Sequence, residues 1–218
     1  MKPFREIDLS RSLAAYKDKM KATVDSFTND EIMANDIELL ADNLYEEFYI
    51  QPVVIHDEDL TRRKINQTKV RRSIDPLYRD VYGREYIDVD GFEMLFHFPF
   101  EGEAGLFKCR ASTFSLSGYP EITIQTGSIV LRYEKTLQEM ERESAVQEVL
   151  KVVELDLRSL RSGIDYANND VSQFNRTLRA DAVKALAEKK KKVESFYSIA
   201  SLFEVPVTKQ NMQRSMYL

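Results

Sequence analysis

Glycine, proline and cysteine are all scarce in this chain of 218 residues, which has 7 Gly, 6 Pro and 1 Cys. So few Gly and Pro exclude collagen-like sequences and Gly/Pro-rich disordered chains. The single cysteine, Cys109, excludes an internal disulfide and a zinc site built on cysteines. The composition, 43% hydrophobic and 31% charged, is that of a globular protein with a sizeable core.

Long apolar runs are also missing. The sequence has no apolar run of the length that crosses a bilayer, about 18 residues or more, so we expect no membrane-spanning helix. The first segment, MKPFREIDLSRSL, contains acidic residues and lacks the apolar core of a signal peptide. We therefore expect a cytoplasmic protein without a membrane partner.

Motifs for catalysis or phosphate binding are not found either. The sequence has no G-x-x-x-x-G-K-[ST], no G-x-G-x-x-G and no G-x-S-x-G. Its two histidines, His56 and His97, are too few for a His-based zinc site. Asp88 and Asp90 supply acids in a predicted strand, but no Glu-x-Lys step of the kind used by metal-dependent nucleases lies near them. We predict no enzymatic activity, no cofactor and no metal, with a divergent metal-dependent nuclease as an alternative.

The few turn-forming residues are concentrated in the middle of the chain. Six of the seven Gly lie within 83–127, and the seventh is Gly163. Alternating apolar residues over 86–100 are typical of a strand, and a change of phase at Asp90-Gly91 predicts a hairpin turn or bulge. The longer segment 51–134, which contains this strand, is predicted to be a small antiparallel β module. Its further predicted strands are 106–107, 122–124 and 129–131.

Helical signals precede this module. Asp8 is a candidate cap for a first helix, and Thr28 with Glu31 forms a capping box that begins a second one. The second helix is expected to end before Pro52, because a residue that precedes proline disfavours the helical region. These N-terminal helices are predicted to occupy 1–50.

Helical signals also follow the module, over 135–218. Apolar residues recur at three- and four-residue steps and form nearly a heptad seam. Gly163 and the run 168–170 are candidate breaks, and a last short helix ends near Phe203. The predicted fold class is therefore α+β, with N-terminal helices, a small antiparallel β module, and a long C-terminal helical hairpin or coiled-coil-like helices. The seam residues predicted as a partner interface are Val149, Val153, Leu157, Leu160, Ile164 and Val171. The alternative is that the seam packs within the chain.

Charge is distributed unevenly. The net charge is −5, yet seven cations stand close together and form what we call the basic island. A protein that coats duplex nucleic acid would be basic overall, so any nucleic-acid contact must be local. The island predicts a nucleic-acid-binding surface, with charge pairing inside the chain or simple solvation as alternatives. Its residues are Arg62, Arg63, Lys64, Lys69, Arg71, Arg72 and Arg79. A second cluster, the lysine run 189–192, is predicted to be solvated surface.

Four separated segments are similar to a known group of proteins. In chain order they are YIQPVVIHDED (49–59), HFPFEGE (97–103), NDVSQFNRTL (169–178) and SLFEVPV (201–207). Together they resemble the N-terminal region of large bacterial proteins that end in a restriction-endonuclease-like or similar effector domain.

Proteins of that group act in anti-phage defence. The resemblance implies a non-enzymatic scaffold or sensor module that couples a trigger to an effector. The contact would be made to a protein effector, or to a second copy, through the C-terminal helices. Because the effector would follow the resembling region, or belong to another chain, no catalytic residue is carried over to this sequence.

Overall fold

A computed structural model describes residues 1–56, 62–75, 83–115 and 118–203. An antiparallel sheet and a long C-terminal helix confirm the α+β class. In chain order the elements are β1 (Ile7–Asp8), α1 (Leu9–Ser26), α2 (Asn29–Ala34), α3 (Ile37–Phe48), β2 (Val54–Ile55), β3 (Arg62–Ser73), β4 (Tyr86–Glu101), a 3-10 helix (Ala104–Lys108), β5 (Cys109–Arg110), β6 (Thr123–Gln125), β7 (Ser128–Thr136), α4 (Leu137–Met140) and α5 (Ala145–Leu202). None of the helices in these ranges has both the length and the apolar character needed to cross a membrane.

The chain divides into two compact units, each made of segments that are distant in sequence. Unit 1 comprises Met1–Leu13 and Ile50–Gln173, and unit 2 comprises Ala14–Tyr49 and Phe174–Leu218. This division differs from the three consecutive segments expected from the sequence. The reason is that α1 and α5 each contribute residues to both units.

Unit 1 is organised around β4, the longest strand of its sheet. The strand order is β2-β4-β7-β6, and β3 also pairs with β4. All these pairings are antiparallel, while β1 and β5 form a separate parallel pair. One face of β4 supplies the alternating apolar residues recognised in the sequence, and Phe98 on that face is fully buried.

Two expectations for the β module were wrong. The strand β4 runs through Asp90-Gly91 in unbroken register with β3. Val89 lies opposite the fully buried Val70. Because successive side chains of a strand point to opposite faces, Val89 and Phe92 lie on different faces of β4. The change of phase at Asp90-Gly91 therefore marks the point where the apolar residues move from one face of the strand to the other. Residues 106–107 are buried, but they belong to the 3-10 helix and not to the strand that was predicted there.

Of the two forms expected for the C-terminal region, a hairpin or coiled-coil-like helices, the hairpin is wrong, and so is a separate last helix. Within the described residues α5 is one uninterrupted helix of 58 residues. At 1.5 Å per residue it is about 87 Å long. Gly163 does not break it. A Cβ built at Gly163 would lie 2.5 Å from Cε2 of Phe4 and 2.8 Å from Cε1 of Tyr119. The glycine therefore permits a close approach of two aromatic rings to the helix.

The N-terminal helices begin where the sequence predicted. Asp8 accepts a hydrogen bond from the Arg11 N–H, and the Thr28–Glu31 capping box is formed. The predicted second helix is two helices, since Asp36 caps α3 separately. The buried core of unit 2 consists of Met20, Val24, Ile32, Leu40, Ala41, Leu44, Phe48, Leu178, Ala182 and Leu186.

Candidate binding surfaces

The structure brings six of the seven basic-island residues onto one strand, β3. Arg79 lies outside the described residues. Within the described ranges, β3 pairs only with β4 and is thus an edge strand. Because successive side chains of a strand point to opposite faces, Arg63 and Lys69 lie on one face, and Lys64 and Arg72 lie on the other. The island is therefore a basic edge and not a one-sided patch.

Two cations of the island form ion pairs with β4. Lys69 Nζ lies 2.7 Å from Asp90 Oδ1, and Arg71 Nε lies 3.5 Å from Asp88 Oδ1. These acids are the register partners of the two cations, so the hairpin neutralises part of its own charge. Nucleic-acid binding by the island stays a prediction.

A third cation, Arg72, binds a helix cap. Its guanidinium lies 2.6 Å from Glu139 Oε2. Glu139 and Thr136 form a capping box at the start of α4, and the Thr136 N–H donates to the same carboxylate at 2.7 Å. This backbone bond, helped by Arg72, lowers the pKa of Glu139 to about 2. Sequence analysis missed this box, although its T-x-x-E spacing was a usable signal.

The candidate catalytic groups do not form a reactive cluster. Asp88 and Asp90 are exposed and paired with cations, and the structure shows no group of three or more His, Cys, Asp or Glu arranged to hold a metal ion among the residues it describes. His56 Nε2 lies 3.3 Å from Glu101 Oε1. Cys109 is buried, and that burial raises the pKa of its thiol.

The seam of α5 is occupied within the chain. All six residues predicted as a partner interface are buried, with 7% exposure or less. A side chain with so little exposure cannot meet another protein, so the alternative of intrachain packing is what the structure has. The residues that pack within the chain, and do not form the predicted partner interface, are Val149, Val153, Leu157, Leu160, Ile164 and Val171.

Polar residues in the middle of α5 hold neighbouring segments of unit 1. Asn168 accepts from the Val53 N–H at 2.9 Å and donates to the Val53 carbonyl at 2.7 Å. Asp170 accepts from both the N–H and the Oγ of Ser112 at 2.7 Å. The run 168–170, a predicted break, is therefore helical, and two of its residues, Asn168 and Asp170, satisfy backbone groups elsewhere.

The last two turns of α5 are different from the seam, because they expose large apolar side chains. Exposure rises from 52% at Phe196 and 57% at Ile199 to 80% at Leu202. Phe203, directly after the helix, is 73% exposed. We call these four residues the apolar patch. Sequence analysis placed the interface on the seam and missed this patch, since both have helical spacing and only the tertiary structure tells them apart.

One residue of the lysine run departs from the predicted solvated surface. Lys189 Nζ donates to the carbonyls of Val24 at 2.9 Å and Asp25 at 2.7 Å, and also to that of Phe27. Its partial burial lowers the pKa of the ammonium group. Lys189 thus donates to carbonyl groups in the last turn of α1 and directly after it.

Lys189 also lines an open cleft of about 740 Å³ between α1 and α5 in unit 2. The cleft carries acids as well as lysines, and Lys17 is paired with Asp181 at 2.6 Å. Five lysines and three acids line the cleft, so its lining has a net positive charge.

Comparison with known proteins adds no identity. No model of a protein family, no curated protein and no solved structure matches the chain.

Proposed function

We propose that this chain is a non-enzymatic scaffold or sensor module that binds a protein partner through the apolar patch at the end of α5. The carrying observation is the exposure of four large apolar side chains within eight residues, Phe196 to Phe203. Exposed apolar side chains that cluster in this way mark protein interaction sites more often than isolated ones do.

The spacing of the patch indicates the kind of partner. Phe196, Ile199 and Leu202 stand at positions i, i+3 and i+6 of α5, so neighbouring members are about 60° apart around the helix. Side chains at this spacing are the ones that a helix inserts into an apolar groove of another protein. The partner we propose is thus an effector protein, or a second copy, with a groove for the end of α5.

The cellular setting comes from the resemblance of the four sequence segments. It supports a role in bacterial anti-phage defence, in which this module holds an effector and reports a trigger to it. We propose a cytoplasmic location because of this resemblance and because the sequence has no long apolar run. Metal-dependent DNA cleavage by the purified chain, removed by Asp88→Ala, would contradict the non-enzymatic part.

A photo-crosslinking amino acid at Ile199 tests the patch in the full chain, expressed in the cell that produces it. We expect one crosslinked product of defined mass, which is lost when Leu202→Asp is added. Leu202 is exposed, so this variant should keep the helical circular dichroism spectrum. The matched control places the crosslinker at Glu194, exposed and about 140° away around the helix. No product from Ile199, or the same product from both positions, would overturn the proposal.

A further inference from the structure

The edge strand β3 has an unusual length for a strand with one free side. It pairs with β4 along all 12 of its residues, from Arg62 opposite His97 to Ser73 opposite Tyr86. Strands in globular proteins are usually about 5–6 residues long. In an antiparallel ladder, alternate residues direct their N–H and C=O groups to opposite edges. Every second residue of β3 thus turns both groups away from β4, and within the described chain no strand meets them.

Natural proteins blunt such edges with proline, bulges or charge. β3 contains no proline, and its register with β4 is free of bulges. Of these devices β3 has charge, and its cations from Arg63 to Arg72 lie on both faces of the edge. A second copy of β3 would set cations opposite cations, which is destabilising. The edge therefore resists self-pairing, while an acidic strand would meet opposite charge on both faces.

The existing ion pairs of the edge leave its cations available. The side chains of Lys69 and Arg71 are 63% and 72% exposed, and ion pairs this exposed contribute about 0–1 kcal/mol. A carboxylate from a partner can replace Asp90 or Asp88 at little cost. Lys64 is exposed and has no ion-pair partner in the described ranges.

An apolar side chain interrupts the charge. Ile65 is 66% exposed and shares its face with Arg63 on one side and Lys69 further along, by the two-residue period of a strand. Arg63 itself lies over the Phe96 ring, with 5.9 Å between its Cζ and the ring centre. A partner strand that matches this edge would thus carry acidic residues beside an apolar one.

We propose that the free edge of β3 docks an extended acidic segment of a partner protein, which adds to the sheet as a further strand. In this mode, main-chain hydrogen bonds give affinity and alternate side chains give specificity. The surface is separate from the apolar patch of α5, so this site and the proposed scaffold role can fail independently.

The test uses a synthetic peptide of repeated Glu-Glu-Val, as long as β3, which carries carboxylates on both faces when extended. It is titrated into the full chain and followed by fluorescence anisotropy. Its matched probe has the same side chains on an N-methylated backbone, which carries the same charge but cannot donate main-chain hydrogen bonds. We expect the N-methylated probe to bind at least about tenfold more weakly. Hydrogen exchange should slow at β3 amides that point away from β4.

Two variants locate the site on the chain. Lys64→Glu with Lys69→Gln removes charge from both faces of β3, and we expect about tenfold weaker binding of the peptide. Lys190→Glu with Lys191→Gln makes the same charge change in unit 2 and should leave the affinity within about twofold. Urea unfolding of both variants verifies that each is folded.

Three results would overturn the proposal. The first is no binding of the peptide at millimolar concentration. The second is equal affinity for the peptide and for its N-methylated probe, which would show that the site recognises charge and not main-chain hydrogen bonds. The third is tighter binding of a single-stranded DNA of equal charge with the same sensitivity to Lys64→Glu and Lys69→Gln, which would assign the edge to nucleic acid.

Discussion

Both units bury apolar residues of α5, but they add different polar contacts to that packing. In unit 1 the helix is fixed by directional hydrogen bonds and by close approach, as at Asn168 and Gly163. In unit 2 it contributes Leu178 and neighbouring residues to an apolar core, and charged side chains on the surface add to this. Arg179, for example, binds Glu38 and Asp42 at 2.8 and 2.6 Å.

This difference predicts different sensitivities. Close packing and buried hydrogen bonds depend on shape, and they are lost when one atom group is changed. Exposed ion pairs contribute little and are screened by salt. We therefore expect unit 1 to respond to small changes of shape on α5, and unit 2 to respond weakly to changes of charge.

The largest effect is expected at Asn168. Replacing Asn168 by Leu leaves the N–H and the carbonyl of Val53 without their partner, which costs about 2–4 kcal/mol of unfolding free energy. Urea unfolding measures this cost. The matched control is Asn169→Leu at the next, exposed position, with a change of about 0.5 kcal/mol or less. Equal effects at both positions would contradict the hydrogen-bonding role.

The next effect is expected at Gly163. Alanine is favoured over glycine in a helix by about 1 kcal/mol, but its Cβ would collide with Phe4 and Tyr119. We expect Gly163→Ala to lower the free energy of unfolding by about 1–2 kcal/mol. Asp165→Ala, at an exposed position of the same helix, should be neutral or slightly stabilising. Stabilisation by Gly163→Ala would show that the two rings can move aside.

In unit 2 the largest charge effect is expected at Lys189. Lys189→Met keeps much of the side-chain volume but removes the donor that Lys189 gives to the carbonyls of Asp25 and Phe27. We expect a loss of about 1–2 kcal/mol, with faster hydrogen exchange in the last turn of α1. Lys191→Met, exposed on the same helix, is the control and should change stability by about 0.5 kcal/mol or less.

The smallest effect is expected at Arg179. Its two carboxylate partners are about half exposed, at 56% and 53%, so Arg179→Met should cost about 0.5–1 kcal/mol at low salt. In 1 M salt, where the screening length falls to about 3 Å, the cost should vanish. Arg176→Met, also exposed, tests whether loss of any arginine has the same effect. A salt-independent cost at Arg179 would break the contrast between the two units.

Local signals in the sequence predicted the local structure well. The cap at Asp8 and the box at Thr28 and Glu31 each depend on residues within one helical turn. The strand region was recognised for the same reason, since alternation is a property of neighbouring residues. These features need no knowledge of the rest of the chain.

Features that depend on distant residues could not be predicted. Asn168 lies 115 positions from Val53, so the sequence does not show that its side chain binds the Val53 backbone from within a helix. Asparagine is more common in turns, and this preference made the residue a candidate break. Gly163 was a candidate break because the two rings that require it are remote in sequence. For the candidate sites, the island was recognised from composition, but its pairing with Asp88 and Asp90 follows only from the register of β3 on β4.

The position of β3 in the chain has a consequence for synthesis. β4 exposes five alternating apolar residues, yet β7 and α5, which follow it, leave the ribosome only tens of residues later. At about 5–20 residues per second, the apolar strand waits for seconds. During that time β3 already covers one edge of β4 and presents cations to other chains, as gatekeeper residues do beside aggregation-prone segments. We expect that neutralising the basic island would lower the yield of folded chain in the cell.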